Sequence, residues 1–351
     1  MRRPTSPLAA HMGVTFKFFS NAYSNKGGFV EYDACEVAYS TAVADHQRVI
    51  VLRPKIDKLT LVFDVDQELR EALVQFISQA PKLDEEGQVS YASAAQLPGA
   101  RYKWNVEFKS KTLGEKVLVQ AVPKVKNAKH TFRIEMNPAK LGRNGLKIFR
   151  EQFHEFMFTA ISFPQVIEVA KVTRLDLAVD VIGVQIGELL LELRKPGKWH
   201  AYHAEDGLME TIYLGIKSKS NSTRWAYDKL KQLEETGATP LHGTADHTRI
   251  EARCKTMRTV MELQKLNNPL SKLRVLFPSV GKPPEEPHHW RLFVDSCRHR
   301  GIANALALIP KPVREAYAVT LEGTMKHIWR SDKLWETWPD VIASSGLLDL
   351  D

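Results

Sequence analysis

The 351-residue chain contains only three cysteines, Cys35, Cys254 and Cys297, with no CxxC pair among them. So sparse and odd a set argues against a disulfide framework and a cysteine zinc site, and it fits a reducing cytosol. No run approaches the ~20 apolar residues that span a bilayer, so no membrane partner is expected. The first residues, MRRPTSPLAAHMG, carry two arginines but no long apolar core, which is unlike a secretory signal and reads as a flexible arm. Neither GxxxxGK(S/T) nor GxGxxG occurs, so no nucleoside-triphosphate or dinucleotide site is indicated. A His-apolar-His triplet is absent too, and His288 and His289 adjoin in a Pro-rich stretch.

What the chain does have is base. The formal net charge is +8, and Arg253 to Lys333 holds about 15 Lys and Arg against about 7 Asp and Glu. That one region carries an excess comparable to the whole chain's, which favours a polyanion partner. Hydrophobic residues make up 44%, enough for an ordinary packed core rather than a disordered chain.

Hydrophobic patterning predicts strands at 57–66, 102–108, 116–122 and 131–136, and helices at 67–80 and 145–160. The same order then returns: strands at 172–184, 210–215, 224–229 and 248–253, and helices at 186–193 and 256–266. DKLTLVFD (57–64) echoes TRLDLAVD (173–180), and HTFRIE (130–135) echoes HTRIE (247–251). The expected class is α+β: duplicated antiparallel-sheet units with helices packed on one face, plus a small helical C-terminal region. The expected segments are an irregular arm (1–54), a first repeat (55–164), a second repeat carrying the active site (165–268) and a basic helical region (269–351). In the last, helices are expected at 291–308 and 311–325, after a Pro-rich linker at 278–287 and before a tail, 329–351, that ends in an acidic, frayed segment.

Alternation along a strand puts Arg174, Asp176 and Asp180 on one face, and Arg249, Glu251 and Arg253 likewise. If those strands are neighbours, Asp176, Asp180 and Glu251 converge as hard oxygen ligands suited to Mg²⁺ or Mn²⁺. The bland alternative is a solvated sheet face held by arginine–carboxylate pairs. Tyr227 is followed by Asp228 and Lys229, and an ammonium on its face would favour the phenolate. A phenol ordinarily titrates near ~10, so it needs such help to act as a nucleophile. Tyrosine, metal and cations together are the parts for phosphoryl transfer.

Four segments in order, VTRLDLAVD (172–180), YLG (213–215), RWAYDK (224–229) and TRIE (248–251), resemble the replication initiation factor family. These are Rep_trans-type rolling-circle initiators of bacterial plasmids and filamentous phages. The resemblance covers about residues 55–265. It implies a relaxase-like nicking fold and a carboxylate-held Mg²⁺ or Mn²⁺. It also implies a tyrosine that takes the 5′ phosphate of a DNA strand and frees a 3′-hydroxyl primer. Carried across, Tyr227 is the nucleophile, Lys229 and Arg224 flank it, and Asp176, Asp180 and Glu251 hold the metal. Trp225 and Ala226 depart from the β-branched approach expected there, which keeps Tyr213 as a competing nucleophile. Arg174, Arg249 and Arg253 would contact DNA, and Arg291, Arg298, Arg300, Lys311 and Arg314 would hold the double-stranded origin through its phosphates. Single-stranded DNA, a host helicase and polymerase, and a second copy of the chain are the expected partners, in a bacterial cytoplasm. A non-catalytic DNA-binding regulator on the same fold is the alternative.

Overall fold

A computed structural model describes residues 16–19, 29–32, 36–44, 47–79, 89–93, 101–109, 113–124, 130–157, 160–193, 199–215, 222–239, 245–278 and 286–349. The architecture is mixed α+β, built on one twelve-stranded antiparallel sheet. A short ribbon, β1 (Phe16–Phe19) with β2 (Phe29–Tyr32), precedes it. The hairpin β3 (Val37–Ala44) and β4 (Gln47–Leu52) follows, and β4 pairs with the large sheet at Val181 and Ile182. Part of the stretch expected to be an irregular arm is therefore sheet.

The next strands are β5 (Lys55–Phe63), β6 (Val89–Ser93), β7 (Tyr102–Phe108), β8 (Val117–Pro123) and β9 (Phe132–Met136). After the helices come β10 (Lys171–Ile182), β11 (Leu190–Leu193), β12 (Trp199–His203), β13 (Met209–Leu214), β14 (Ser222–Asp228) and β15 (His247–Cys254). The main sheet runs β12-β13-β14-β15-β10-β5-β9-β8-β7-β6. Its two halves meet at the antiparallel β10–β5 pair, and each half lays out its strands in the same order from that seam.

The sheet's apolar side is covered by helices. α1 (Gln67–Gln79) packs near β7 and β8, and α2 (Pro138–Phe156) crosses β5. A short helical piece, capped by Asn137 and begun by Pro138, precedes the expected helix and is separated from it by a kink at Gly142, whose φ is 63°. α3 (Phe163–Val169) starts at a Ser162–Gln165 capping box that periodicity alone passes over. Phe149 is fully buried and meets Phe108, Phe153 and Phe163 edge-on or tilted.

Two expected helices do not form. Residues 186–193 make one 3₁₀ turn, Ile186–Glu188, then β11, which joins β16 (Leu273–Pro278) and β17 (Met325–His327) in a separate sheet. Leu190 and Leu191 are adjacent and both buried, an arrangement suited to a strand covered on both sides. Residues 256–266 hold only the 3₁₀ turn Met261–Lys265. The helix expected over 291–308 divides at Gly301, whose φ of 86° interrupts it. The pieces are α5 (Pro287–Arg300) and α6 (Ile302–Leu308), followed by α7 (Lys311–Thr324).

The tail is packed as far as residue 349, and the last two residues of its acidic end lie outside the described residues. α8 (Ser331–Glu336) and α9 (Trp338–Ser344) put Trp338, Ile342 and Leu347 at zero exposure in the main core. The indole N–H groups of Trp335 and Trp338 donate to the carbonyls of Leu266 (3.0 Å) and Leu263 (2.7 Å). Residues 80–88, where a polar, acidic loop is expected from the sequence, and much of the Pro-rich linker lie outside the described residues. Removing the Phe149 ring leaves a cavity where four aromatic rings meet. Phe149→Ala is expected to cost about 3–5 kcal/mol, read from urea unfolding at constant m.

Candidate active site

Register builds the site. Between β10 and β15, Asp176 lies opposite Arg253, Ala178 opposite Glu251, and Asp180 opposite Arg249. On the next strand, Trp225 lies opposite Glu251 and Tyr227 opposite Arg249. On the other side, Lys58 lies opposite Asp176 and Lys55 opposite Ala178, with a bulge between them. Four adjacent strands thus present Lys55, Asp57, Lys58, Arg174, Asp176, Asp180, Arg249, Glu251, Arg253, Trp225 and Tyr227 on the side away from the helices. The alternate residues, such as Leu175, Leu177, Ile250 and Ala252, are core.

Asp180 is only 1% exposed. Its Oδ1 accepts from Arg249 Nε at 2.7 Å and lies 2.9 Å from His247 Nε2. Its Oδ2 accepts from Arg249 Nη2 at 3.0 Å and from Lys55 Nζ at 3.3 Å. Burial pushes this carboxyl up, and the His247 and Arg249 contacts outweigh burial and hold it well below its ordinary range. Asp176, 2% exposed, accepts from Arg253 Nε and Nη2 at 2.9 Å each. Arg174 Nε adds contacts of 3.1 Å to both of its oxygens. Burial again raises this carboxyl, and Arg174 and Arg253 reverse the direction.

Glu251 sits between these two clusters and differs from both. It receives no guanidinium hydrogen bond among the described residues. Instead the Tyr227 hydroxyl donates to its Oε1 at 2.8 Å. Burial, reinforced by the nearby Asp57 charge, pushes Glu251 up to about 7. Burial and the Glu251 charge also raise Tyr227 well above the usual phenol range, so the hydroxyl keeps its proton at neutral pH. The expected Lys229 effect takes another form. Asp228 caps α4 (Lys229–Glu235), and Lys229 Nζ lies 5.9 Å from the Tyr227 ring centroid, over the ring rather than at the hydroxyl. Burial and the neighbouring Arg249 lower its ammonium. The dyad can therefore pass a proton from phenol to carboxylate beside a fixed guanidinium.

An aromatic row leads away from the dyad on the same face. Arg253 lies 5.1 Å over the Trp225 ring, and Trp225 stacks with Tyr213 at 6.4 Å between centroids. Tyr202 meets Tyr213 edge-on at 5.9 Å, and His200 meets Tyr202 edge-on at 4.8 Å. Tyr202 is 52% exposed. Tyr213, the competing nucleophile, belongs to this row, and no carboxylate accepts from its hydroxyl among the described residues. The row, Asp57 and Lys55 escape a reading by motif, since they lie on strands far apart in the chain. Their signal is aromatic or charged alternation within single strands.

Three other expectations resolve differently. Arg224 is an odd number of residues from Tyr227 and falls on the opposite face, where it is buried and donates to the Pro269 carbonyl at 2.8 Å. It fixes a turn and does not meet the Tyr227 hydroxyl. Of the C-terminal cations, Arg291, Arg300 and Lys311 are exposed, and Arg298 is half-buried. Arg314 reaches back to the carbonyls of Ala307 and Ile309 at the end of α6. Asp176, Asp180 and Glu251 do come to one face, yet the donor set does not fit a divalent ion. A carboxylate offers about four acceptor sites, and in both aspartates all four are taken by nitrogen donors. Among the described residues no group of three or more His, Cys, Asp or Glu could hold a metal ion.

No protein-family model matches the chain. No curated protein sequence matches it either.

Two outcomes follow from the charge arrangement. Asp180→Asn leaves Arg249 and Lys55 without their buried counter-ion, and a loss of about 3–5 kcal/mol is expected in urea unfolding at pH 7. Glu251 has a raised folded-state pKa, so its contribution is complete below the unfolded value near ~4.5 and is lost as pH rises through about 7. Glu251→Gln removes that loss. Its thermal stability relative to the parent should rise between pH 5 and pH 8, by on the order of 2 kcal/mol.

Proposed function

We propose that the chain is a DNA strand-transfer enzyme that nicks and rejoins one strand through Tyr227 and so initiates rolling-circle replication. The single observation that carries this reading is the Tyr227–Glu251 hydrogen bond of 2.8 Å, next to an arginine held in place by Asp180. Tyr227 Oη attacks the scissile phosphorus while its proton passes to the Glu251 carboxylate. The bond from phosphorus to the 3′ oxygen breaks, and that oxygen takes a proton from solvent and leaves as a 3′-hydroxyl. The 5′ phosphate stays esterified to Tyr227. One phosphodiester is exchanged for another, so attack by a 3′-hydroxyl reverses the step without outside energy. Arg249 supplies preorganised positive charge for the phosphate oxygens.

The aromatic row from Trp225 to His200 suits unpaired bases, which stack on such side chains with little sequence preference. The repeated strand order on either side of the β10–β5 seam supports a duplicated, relaxase-like unit. Exposed Arg291, Arg300 and Lys311 are the cations left to grip duplex phosphates at an origin. A helicase, a polymerase and a second copy of the chain complete the reading as partners. Saturation of Asp176 and Asp180 removes them from the proposed metal set, and no step above runs through Mg²⁺ or Mn²⁺. The same saturation favours the second reading, a DNA-binding protein on this fold without the chemistry.

The test incubates purified protein with supercoiled plasmid or a single-stranded oligonucleotide library, with and without Mn²⁺, and maps any SDS-resistant adduct by peptide mass. An adduct on Tyr227 that vanishes in Tyr227→Phe is expected. Retention of the adduct in that variant moves the nucleophile to Tyr213. Salt-sensitive binding with no adduct under any condition selects the binding-only reading.

A further inference from the structure

A cleft of about 320 Å³ opens beside the N-terminal end of β5, between that strand, the first turn of α2 and the end of α9. Arg53, Lys55 and Arg143 line it, against a single acidic side chain, Glu36. Arg53 stands out among them. Its backbone N–H bonds to the Glu36 carbonyl, but its Nε is buried without any hydrogen-bond partner. Among the described residues its guanidinium has no ion pair either. Buried donors are nearly always satisfied, and the other N–H groups of this half-buried guanidinium, with no acceptor among the described residues, suit an anion in the cleft. Arg143 is 70% exposed and pairs with Asp349 through Nε, which leaves its other donors available.

The rest of the wall is mixed: Ser344 and Ser345 add hydroxyls, and the other side chains, among them Pro54, Ile56, Pro138 and Val341, are apolar. A cleft lined by both cations and apolar side chains suits a ligand that carries a phosphate and a flat or apolar body. The volume exceeds what a bare phosphate needs. We infer that the cleft binds the phosphate group of a nucleotide, either free or within a DNA strand, with Arg53 as its principal contact. The choice of a nucleotide rests on the strand-transfer reading of Tyr227. The anion preference rests on Arg53 alone.

The cleft also touches the Tyr227 face. Lys55 lines it and donates to Asp180, and Asp180 in turn positions Arg249 beside Tyr227. The Lys55 contact, at 3.3 Å, is the longest of the four that Asp180 accepts. A phosphate in the cleft competes for that ammonium, so a strand held there lies one side chain away from the dyad's support.

The experiment titrates full-length Tyr227→Phe protein, which separates binding from nicking, with inorganic phosphate, thymidine, thymidine 5′-monophosphate and a short oligothymidylate. Calorimetry or fluorescence anisotropy gives the affinities. Saturable binding of a nucleotide probe is expected, with thymidine at least tenfold weaker. Arg53→Gln should lose at least tenfold, Arg53→Lys should recover part of it, and Arg143→Gln, at an exposed position, should weaken binding severalfold. Loss confined to thymidine 5′-monophosphate identifies a free nucleotide, and loss for the oligonucleotide as well identifies a strand. Equal binding of thymidine and its phosphate overturns the inference, as does unchanged affinity in folded Arg53→Gln protein. Binding of inorganic phosphate alone, or of no probe, overturns it too. An adduct on Tyr227 with unchanged Arg53→Gln affinity sinks only this inference. Nucleotide binding lost in Arg53→Gln, with no adduct in the parent, sinks only the nicking reading.

Discussion

Two aspartates in the middle of a twelve-stranded sheet set the terms for everything around them. Asp176 and Asp180 are almost entirely removed from water on β10, where an unpaired carboxylate would be costly. Each is held by charge-assisted, paired contacts from arginine, with Lys55 and His247 completing the shell of Asp180. The arginines come from β10 itself and from β15, so the same contacts that neutralise the aspartates also pin the two strands' long side chains. Arg249 cannot swing away without stripping Asp180, and it therefore stands at a fixed place beside Tyr227.

That constraint divides the acidic residues into two kinds. Asp176 and Asp180 are spent on structure. Glu251, opposite Ala178 and between the two clusters, is left without a guanidinium and takes the tyrosine hydroxyl instead. Burial and Asp57 then lift it to a range where it can exchange a proton near neutral pH. A sheet face that looks uniformly charged along its strands is thus chemically uneven, and the uneven spot is the one next to a tyrosine.

The apolar face makes this rigidity affordable in a chain with such a wide sheet. Helices α1, α2 and α3 cover the first half, and the chain's last helix returns to the same core through Trp338 and Ile342. Tail and sheet are consequently one packed body on that side, and residues of both α9 and β5 line the cleft at Arg53. Much of this was legible beforehand. The strands at 57–66, 102–108 and 248–253 were readable because apolar and polar residues alternate there. The strand and 3₁₀ turns that stand where helices were expected, at 186–193 and 256–266, were not, because short apolar runs suit a strand or a turn as well as a helix. The capping residues Asn137 and Ser162 are present in the sequence, but apolar periodicity carries no information about them.

The residues by themselves determined which side chains share a face: alternation alone aligns Asp176 with Asp180, and Glu251 with Arg249 and Arg253. They also determined that one of these faces would be polar and the other core. Which carboxylate is paired, and with what, was decided by register and neighbouring strands, contacts between positions as distant as Lys55 and Asp180 or Tyr227 and Glu251. The reason is electrostatic. A carboxylate's role depends on how many donors reach its oxygens and how much water is left, and both are properties of the folded environment rather than of the sequence position.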